Sequence, residues 1–402
     1  MSRFHSYQPE QAYLLPPNVK DVLSENHLCF HLHRVVEALD VSEFERAYGA
    51  EGRLAYPPKM MLKVWLYAFA LNVSSTRRLE QRVREDLAFR YLAGGLAPDH
   101  KTLSEFLRRH RRALNDVFTQ VLEQARRAGM VKLGHVAIDS TRVRASASRY
   151  RMDSEEKLRQ ERARYRRLAR KFQQKAGAPD PDEAGGMAIS AEQQRKLEQR
   201  MAEMPQRLQR LRKSGLKQVS RTDGDARFLR SREGWVLGYT PEVAVSDDHF
   251  IVAARVTQNA SDNASLAPMV EEVERHCRCR PQKVTADSGY FSGAALHAMR
   301  RLGIEGYVPD NNLAHEMSTG ERAAGIGKSP IRDPEHQRMR EKLRSGPGRN
   351  LYRRRQAVVE PVIGILKEQR GMRRFRRRGL QAVATEWMLA AIAYNITRML
   401  RR

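Results

Sequence analysis

The order of the apolar segments after residue 130 is the feature that most constrains the fold of this chain. Gly134–Ser140 is short, apolar and β-branched, which predicts a buried strand. After residue 218 the pattern predicts two strands joined by a turn, and then helices and strands in alternation. If the charged stretch between these parts is left out, the order is β-β-β-α-β-α-β-α. That order predicts a mixed sheet in which three antiparallel strands lead into parallel crossovers.

This order of elements is also that of the RNase H-like fold, so the predicted fold class is α/β with an RNase H-like mixed sheet as the catalytic core. The later strands are expected at Gly234–Val245, His249–Thr257, Lys283–Asp287 and Ile304–Val308. The later helices are expected at Asp262–Cys277, Ser292–Leu302, Pro334–Leu343, Arg353–Arg370 and Leu380–Leu400. A turn at residues 246–248 joins the second and third strands, and a long polar loop is expected up to about Arg332.

Residues 1–130 are predicted to form a helical N-terminal DNA-binding domain. Pro58 introduces an apolar helix, and it suits the first helical turn because its missing N–H costs least there. Further helices are expected over Ser75–Leu92 and Leu103–Leu122, and both carry several arginines. Any one such charged run is most often a solvated helix face, so only their sum indicates DNA binding.

Residues 151–218 are predicted to be a helical-hairpin insertion. Two charged helical stretches, Ser154–Lys175 and Ser190–Arg212, flank a breaker at Ala176–Gly186 that is rich in Gly, Ala, Pro and Asp. The hairpin suits an arm, a DNA clamp or a dimerisation element, and the pattern does not choose among these. The catalytic core is then expected in two parts, residues 131–150 and residues 219–402, and the second part includes basic C-terminal helices.

The charge balance indicates a polyanionic partner. The chain has 73 Lys and Arg residues against 47 acidic residues, a formal net charge of +26. Each Lys or Arg that neutralises a phosphate releases condensed counterions, which favours nucleic-acid binding. An RNA binder and a membrane-surface protein are the alternatives, but the runs Met60–Leu71 and Trp387–Ile396 are shorter than the roughly 20 residues that span a bilayer. Three cysteines are too few for an oxidised scaffold, so we expect a cytoplasmic protein.

Two aspartates end strands that this fold commonly places side by side. Asp139 ends the first predicted strand, on the face opposite Val136 and Ile138, and Asp287 ends the fourth. Two carboxylates held close together repel, and a divalent cation such as Mg²⁺, which takes hard oxygen ligands, offsets that repulsion. Either aspartate alone is more simply a strand-end or turn residue.

A third carboxylate, Glu360, lies on the predicted helix Arg353–Arg370. Glu360, Gly364 and Lys367 fall at i, i+4 and i+7, so one helix face carries a potential metal ligand near a potential phosphate contact. A surface glutamate beside an unrelated lysine is the alternative. The density of arginine that follows favours the functional interpretation: Arg373, Arg374, Arg376, Arg377 and Arg378.

These segments together resemble a known family. The segment Tyr352-x2-Arg355-x4-Glu360-x6-Lys367 resembles the Tyr-Arg-Glu-Lys signature of the DDE transposases of bacterial insertion sequences. The usual signature has three residues between the arginine and the glutamate, whereas this chain has four, so Arg353 and Arg354 are alternatives for the arginine. Other segments also resemble this family, and the likeness therefore covers nearly the whole chain: Ile138–Thr141, Ala286–Tyr290, Thr222–Arg227 and Pro57–Leu114.

The resemblance implies a two-metal phosphoryl transfer on DNA. Asp139, Asp287 and Glu360 are then the catalytic residues, and they hold two Mg²⁺ or Mn²⁺ ions about 4 Å apart. The implied partners are double-stranded DNA, as element terminal inverted repeats and target, and a second copy of the chain in the DNA complex. The implied reaction is nicking at the element ends followed by strand transfer. The implied DNA contacts are Tyr352, Arg355, Lys367, Arg373, Arg374 and Arg376.

Two other functions share these residues and remain open at this point. One is an RNase H-like nuclease that cuts DNA without joining it, and the other is a catalytically inactive DNA-binding protein of the same fold. Asp223 and Asp225 are rival metal ligands near the second strand. A zinc site at His276–Cys279 is not expected, because no second Cys or His pair lies at ligand spacing.

Overall fold

A mixed sheet forms the centre of the molecule. The computed structural model describes residues 18–49, 54–176, 191–231, 234–319 and 333–400, and within these ranges seven strands belong to this sheet. They are β1 (His135–Ser140), β2 (Val143–Arg144), β5 (Arg227–Ser231), β6 (Gly234–Ser246), β7 (Ile251–Thr257), β8 (Lys283–Ala286) and β9 (Glu305–Tyr307). A separate antiparallel pair consists of β3 (Met152–Asp153) and β4 (Val219–Ser220).

The strand order confirms the arrangement expected from the sequence. β6 pairs antiparallel with β1 and β7, whereas β8 pairs parallel with β1 and β9. The order β7-β6-β1-β8-β9 is that of the RNase H-like fold. β5 was not predicted: it pairs with the first half of β6, and its Arg-Phe-Leu-Arg-Ser sequence is too polar to stand out as an apolar run.

The N-terminal region is helical, as expected, and Pro58 begins α4. Two predicted helices are wrong because each is divided: Ser75–Leu92 breaks at Asp86, and Leu103–Leu122 breaks at His110. The Asp86 side chain accepts hydrogen bonds from the backbone N–H groups of Ala88 and Phe89, which starts a new helix. The helices are α1 (Val19–Val22), α2 (Leu28–Glu37), α3 (Ser42–Glu45), α4 (Pro58–Ala70), α5 (Thr76–Glu85), α6 (Leu87–Ala93), α7 (His100–Arg109) and α8 (Arg111–Arg127).

The insertion consists of two packed helices, α9 (Glu155–Ala176) and α10 (Ala191–Ser214), close to the predicted bounds. They have a small apolar core of their own, to which Leu158 contributes from α9 and Met204 and Leu211 from α10. The β3–β4 pair closes the base of the insertion. Most of the predicted breaker Ala176–Gly186 lies outside the described residues.

The C-terminal helices differ from the predicted bounds in several places. The predicted helix from Asp262 begins only at Leu266, the expected loop contains a further helix, and the helix that carries Glu360 begins at Gly346 rather than Arg353. Ser345 caps that helix, and it ends in a π-helical turn at Ile365–Gln369. The helices are α11 (Leu266–Cys277), α12 (Gly293–Arg301), α13 (Asn311–Thr319), α14 (Pro334–Arg344), α15 (Gly346–Gly364) and α16 (Leu380–Leu400).

α16 joins the sheet to the N-terminal helices. It is apolar and almost wholly buried, and it packs against β7 as well as against α2, α4 and α8. Most of the arginines of the C-terminal region precede α16. The Asn395 side chain accepts a hydrogen bond from the Ile251 N–H and donates one to the Ile251 carbonyl. These two backbone groups of the outer strand β7 are therefore paired. None of the helices in the described ranges is long and apolar enough to cross a membrane.

Candidate active site

The register of two parallel strands brings Asp139 and Asp287 together. Ala137 lies opposite Thr285 and Ile138 opposite Ala286, so continuing the register by one residue places Asp139 opposite Asp287. Residues paired across strands project to the same face of a sheet, so both carboxylates project to one face. α15 packs against β1, β6, β8 and β9 beside this pair.

The Arg355 guanidinium lies against the aspartate pair. Its Nη1 donates to Asp139 Oδ2 at 2.8 Å, and only 8% of the Arg355 side chain is exposed. The pKa of Asp139 is raised to about 6, chiefly because burial disfavours its charged form; the charge of Arg355 lowers this pKa and that of Asp287 raises it. Burial also raises the pKa of Asp287, and Arg355 again opposes the shift. The two carboxylates thus form a desolvated, mutually repelling pair that requires positive charge.

A third aspartate, Asp262, lies beside the pair and was not recognised in the sequence. A Cβ atom on Gly289 would lie 3.1 Å from Asp287 Oδ1 and 3.6 Å from Asp262 Oδ2, so both carboxylates flank the same glycine. Asp262 also accepts a hydrogen bond from Ser140 Oγ at 2.8 Å and pairs with Arg142 at 3.3 Å. The sequence pattern predicts Asp262 as the first residue of the helix that follows the third strand, and this gives no sign that it lies beside the other two aspartates.

Glu360 is not grouped with the two aspartates in this conformation. It lies on α15 and is exposed, and the main charges that shift the pKa of Asp139 are those of Arg355 and Asp287. In the part of the chain that the structure describes, no three histidine, cysteine, aspartate or glutamate side chains are placed to hold one metal ion. The donor chemistry of the aspartate pair still fits a divalent cation, since its ligands are partly desolvated carboxylate oxygens that repel each other.

The other predicted DNA contacts lie on α15 and on the segment after it. Tyr352 is partly buried, with its ring centre 5.9 Å from the Arg355 guanidinium, and burial raises its pKa. Lys367 lies in the π-helical turn and is partly buried. The remaining predicted contacts are exposed: Arg373, Arg374 and Arg376. Of the alternatives to Arg355, Arg354 instead pairs with Asp247 at 3.2 Å, and Arg353 is exposed.

The arginine-rich segment 373–378 is attached to the sheet edge. The backbone N–H of Arg144 donates to the Arg373 carbonyl at 3.2 Å, and that of Phe375 donates to the Arg144 carbonyl at 2.8 Å. The Glu386 carboxylate accepts from the N–H groups of Arg376 and Arg377, and burial raises the pKa of Glu386 to about 7. These bonds position the backbone while the exposed arginine side chains project into solvent.

Asp223 and Asp225, the two alternative metal ligands, form hydrogen bonds that stabilise the fold. Asp223 accepts hydrogen bonds from the Tyr239 hydroxyl and the Gly379 N–H, and Asp225 accepts one from the Leu380 N–H, so both hold the start of α16. His276 lies 2.7 Å from Thr119 Oγ1 in the interface between α8 and α11. No zinc ligand set includes it within the described ranges.

Glu242 is a buried carboxylate next to this site. Its side chain has no exposed surface; Arg255 Nε lies 3.1 Å away, but neither carboxylate oxygen accepts a well-directed hydrogen bond from a described residue. Burial raises the pKa of Glu242 to about 7. The folded state therefore favours the protonated form, and this contribution to stability is lost as the pH rises from about 4.5 to about 7.

Glu242→Gln is accordingly expected to stabilise the protein at pH 8 by about 2–3 kcal/mol and to have little effect at pH 4.5, because each pKa unit corresponds to about 1.4 kcal/mol. Urea unfolding at both pH values measures the difference. The exposed Glu271→Gln is the control and should show no pH-dependent change. An equal effect of Glu242→Gln at both pH values would contradict the prediction.

The strand order and the aspartates at the ends of β1 and β8 define an RNase H-like protein. Two family models match the chain: Transposase domain (DUF772) at residues 17–109 and Transposase DDE domain at residues 210–396. The chain belongs to the DDE transposases of insertion sequences, a family of DNA-binding enzymes that generally use divalent metal ions. Neither the curated proteins nor the solved structures gave a match.

Proposed function

We propose that this transposase cuts DNA at the ends of its element and joins them to target DNA, and that Asp139, Asp287 and Glu360 are its catalytic residues. The observation that supports this most is the aspartate pair, facing the helix that carries the Tyr-Arg-Glu-Lys segment. Bound Mg²⁺ or Mn²⁺ ions, two in this proposal, would activate the attacking hydroxyl and stabilise the leaving oxygen.

The residues of the chain supply position and charge in this proposal. Asp139 and Asp287 extend from neighbouring strands, so their separation is set by the sheet and not by flexible loops. Arg355 neutralises the pair before DNA binds, and a scissile phosphate offers its guanidinium an alternative acceptor of matching geometry. Tyr352, Lys367 and the exposed arginines Arg373, Arg374 and Arg376 would contact the DNA ends.

Glu360 would join the aspartates when α15 turns about its C-terminal part. A proline inside α15, Pro361, and the π-helical turn that follows both interrupt the regular hydrogen bonding of the helix. Such interruptions are where a helix bends most easily. The proposal therefore assigns the third carboxylate to Glu360, with Asp262 holding the end of β1 through Ser140 and Arg142.

The reaction has two steps with the same chemistry. In the first, a water oxygen bonds to the phosphorus at the element end, the bond from phosphorus to the 3′ oxygen breaks, and a 3′-OH is released. In the second, that 3′ oxygen attacks a phosphorus in target DNA and displaces a 3′ oxygen there. Two ends must be held at once, so we propose that a homodimer assembles on the DNA.

The test uses duplex oligonucleotides taken from the DNA that flanks the gene, incubated with the protein and with Mg²⁺ or EDTA. We expect both nicked and joined products with Mg²⁺ and neither with EDTA. Nicked products alone would favour a nuclease, and binding without products would favour an inactive DNA-binding protein.

Glu360→Gln is expected to lower both product yields by about 10²–10³-fold, since removing one metal-binding group costs several kcal/mol in the transition state. Gel quantification of nicked and joined DNA measures the loss. Glu341→Gln, an exposed glutamate on the neighbouring helix α14, is the matched control and should retain full activity. Full activity of Glu360→Gln would refute the assignment of the third carboxylate.

A further inference from the structure

A cleft lined by arginines lies at the base of the helical insertion. It has a volume of about 610 Å³ and lies between one face of α10 and the segments that flank β3 and β4. On α10, Arg200, Arg207 and Arg210 fall at i, i+7 and i+10, which places them on one helix face. The charged residues that line it are Arg151, Arg200, Glu203, Arg207, Arg210 and Arg221.

Two of these arginines form the fixed floor of the cleft. Arg207 binds both carboxylate oxygens of Asp153, at 2.6 and 2.9 Å, and Glu161 at 2.9 Å. Arg221 binds the same two carboxylates. Burial and these ion pairs hold the base of α9 and α10 together, so Arg207 and Arg221 stabilise the shape of the cleft and are not available to bind a ligand tightly.

The other three arginines, Arg151, Arg200 and Arg210, are not used by the fold. Their side chains make no ion pair or hydrogen bond with any described residue. Three guanidinium groups thus face a concave surface that contains a single carboxylate, Glu203. Concave surfaces of one charge concentrate counterions, and the planar guanidinium matches the oxygens of a phosphate.

The path of the chain connects this cleft to the catalytic aspartates. Residues 140–151 lead from the end of β1 to Arg151, and along this path the arginine-rich segment 373–378 lies alongside. Arg378 Nε donates to the Ser146 carbonyl at 3.0 Å, about midway along that path. Arginines thus lie both at the cleft end of this path and alongside it, an arrangement that suits an extended polyanion better than a small anion.

We infer that this cleft binds the phosphate backbone of duplex DNA, so that the insertion acts as a second DNA-binding element beside the catalytic core. The inference rests on the proposed function, because the DNA it would hold is the DNA that the aspartate pair cuts. Arg151, Arg200 and Arg210 contact phosphates and carry no base specificity. Bound DNA extends from the ends of β1 and β8 past segment 373–378 to the insertion.

The test compares two triple variants of the full chain with equal loss of charge. The cleft variant replaces Arg151, Arg200 and Arg210 by glutamine. The matched control replaces Arg162, Arg164 and Arg166, which are exposed on α9 and do not line the cleft. Fluorescence anisotropy with a 30-base-pair duplex at several salt concentrations measures the slope of log affinity against log salt, and thermal unfolding confirms that both variants fold.

The cleft variant is expected to lower the magnitude of the slope by about 2–3, because each lost phosphate contact lowers it by about 0.9, while the control leaves the slope unchanged. Equal slopes for the two variants would overturn the inference. This readout does not depend on cleavage. If the slopes of the two variants differ as expected but the wild-type protein forms no Mg²⁺-dependent products, the proposed function is refuted and the DNA-binding cleft stands. If the wild-type protein cuts and joins DNA but the two variants have equal slopes, the cleft is refuted and the proposed function stands.

Discussion

Asp139→Asn is expected to lower DNA cleavage and joining by about 10³-fold or more, because it removes the charge of a proposed metal ligand that lies opposite Asp287. Asparagine keeps the shape of the side chain and one acceptor oxygen for Arg355, so the fold should remain intact. Asp287→Asn should have a similar effect, since the two carboxylates act as one unit. Product yields with Mg²⁺ measure the loss.

A direct metal titration separates a catalytic defect from a folding defect. Mn²⁺ binding, followed by calorimetry or by electron paramagnetic resonance, should weaken at least about tenfold in Asp139→Asn. The wild-type protein should also bind Mn²⁺ less well below about pH 6, because burial raises the pKa of Asp139 to about 6 and a protonated carboxylate is a poor ligand. Unchanged Mn²⁺ affinity in both aspartate variants would rule out the pair as the metal site.

Phe375→Ala is expected to lower the free energy of unfolding by about 3–5 kcal/mol, the usual cost of removing a fully buried aromatic ring. Phe375 has no exposed surface and contacts two other buried rings, Tyr239 of β6 and Trp387 of α16. It is the apolar anchor of the arginine-rich segment 373–378. The variant should therefore also bind DNA less tightly, because the neighbouring arginines lose their fixed positions.

Urea unfolding measures the loss of stability, with Phe228→Ala as the matched control. Phe228 lies on β5 and is 38% exposed, so its removal should cost less than about 1 kcal/mol. If both variants unfold at the same urea concentration as the wild type, Phe375 does not anchor the segment.

Much of the sheet could be predicted because its signals are local. β1 and β7 are short apolar runs, and the predicted order of elements matches a known fold in which the first and fourth strands are neighbours, which places Asp139 beside Asp287. The helices of the insertion were also predicted, since long charged stretches with helical spacing need no distant partner to be recognised.

Helix boundaries and buried surfaces were harder to predict because they depend on distant contacts. The break at Asp86 follows from a capping bond that competes with continuation of the helix. α16 is almost wholly buried because the sheet and the N-terminal helices enclose it; its apolar run Trp387–Ile396 indicates a buried helix, but not which elements cover it. For the same reason, the sequence does not show that one apolar core includes residues of both the N-terminal helices and the sheet.

The amino-acid sequence by itself determined the fold class, the family and the two aspartates, because strand periodicity and short motifs are properties of neighbouring residues. Only the tertiary structure decided which charges surround those aspartates. Arg355 contacts Asp139 across 216 positions of the chain, and Asp262 reaches Ser140 across 122. Such contacts have no local pattern, since they exist only after the sheet and α15 have packed together.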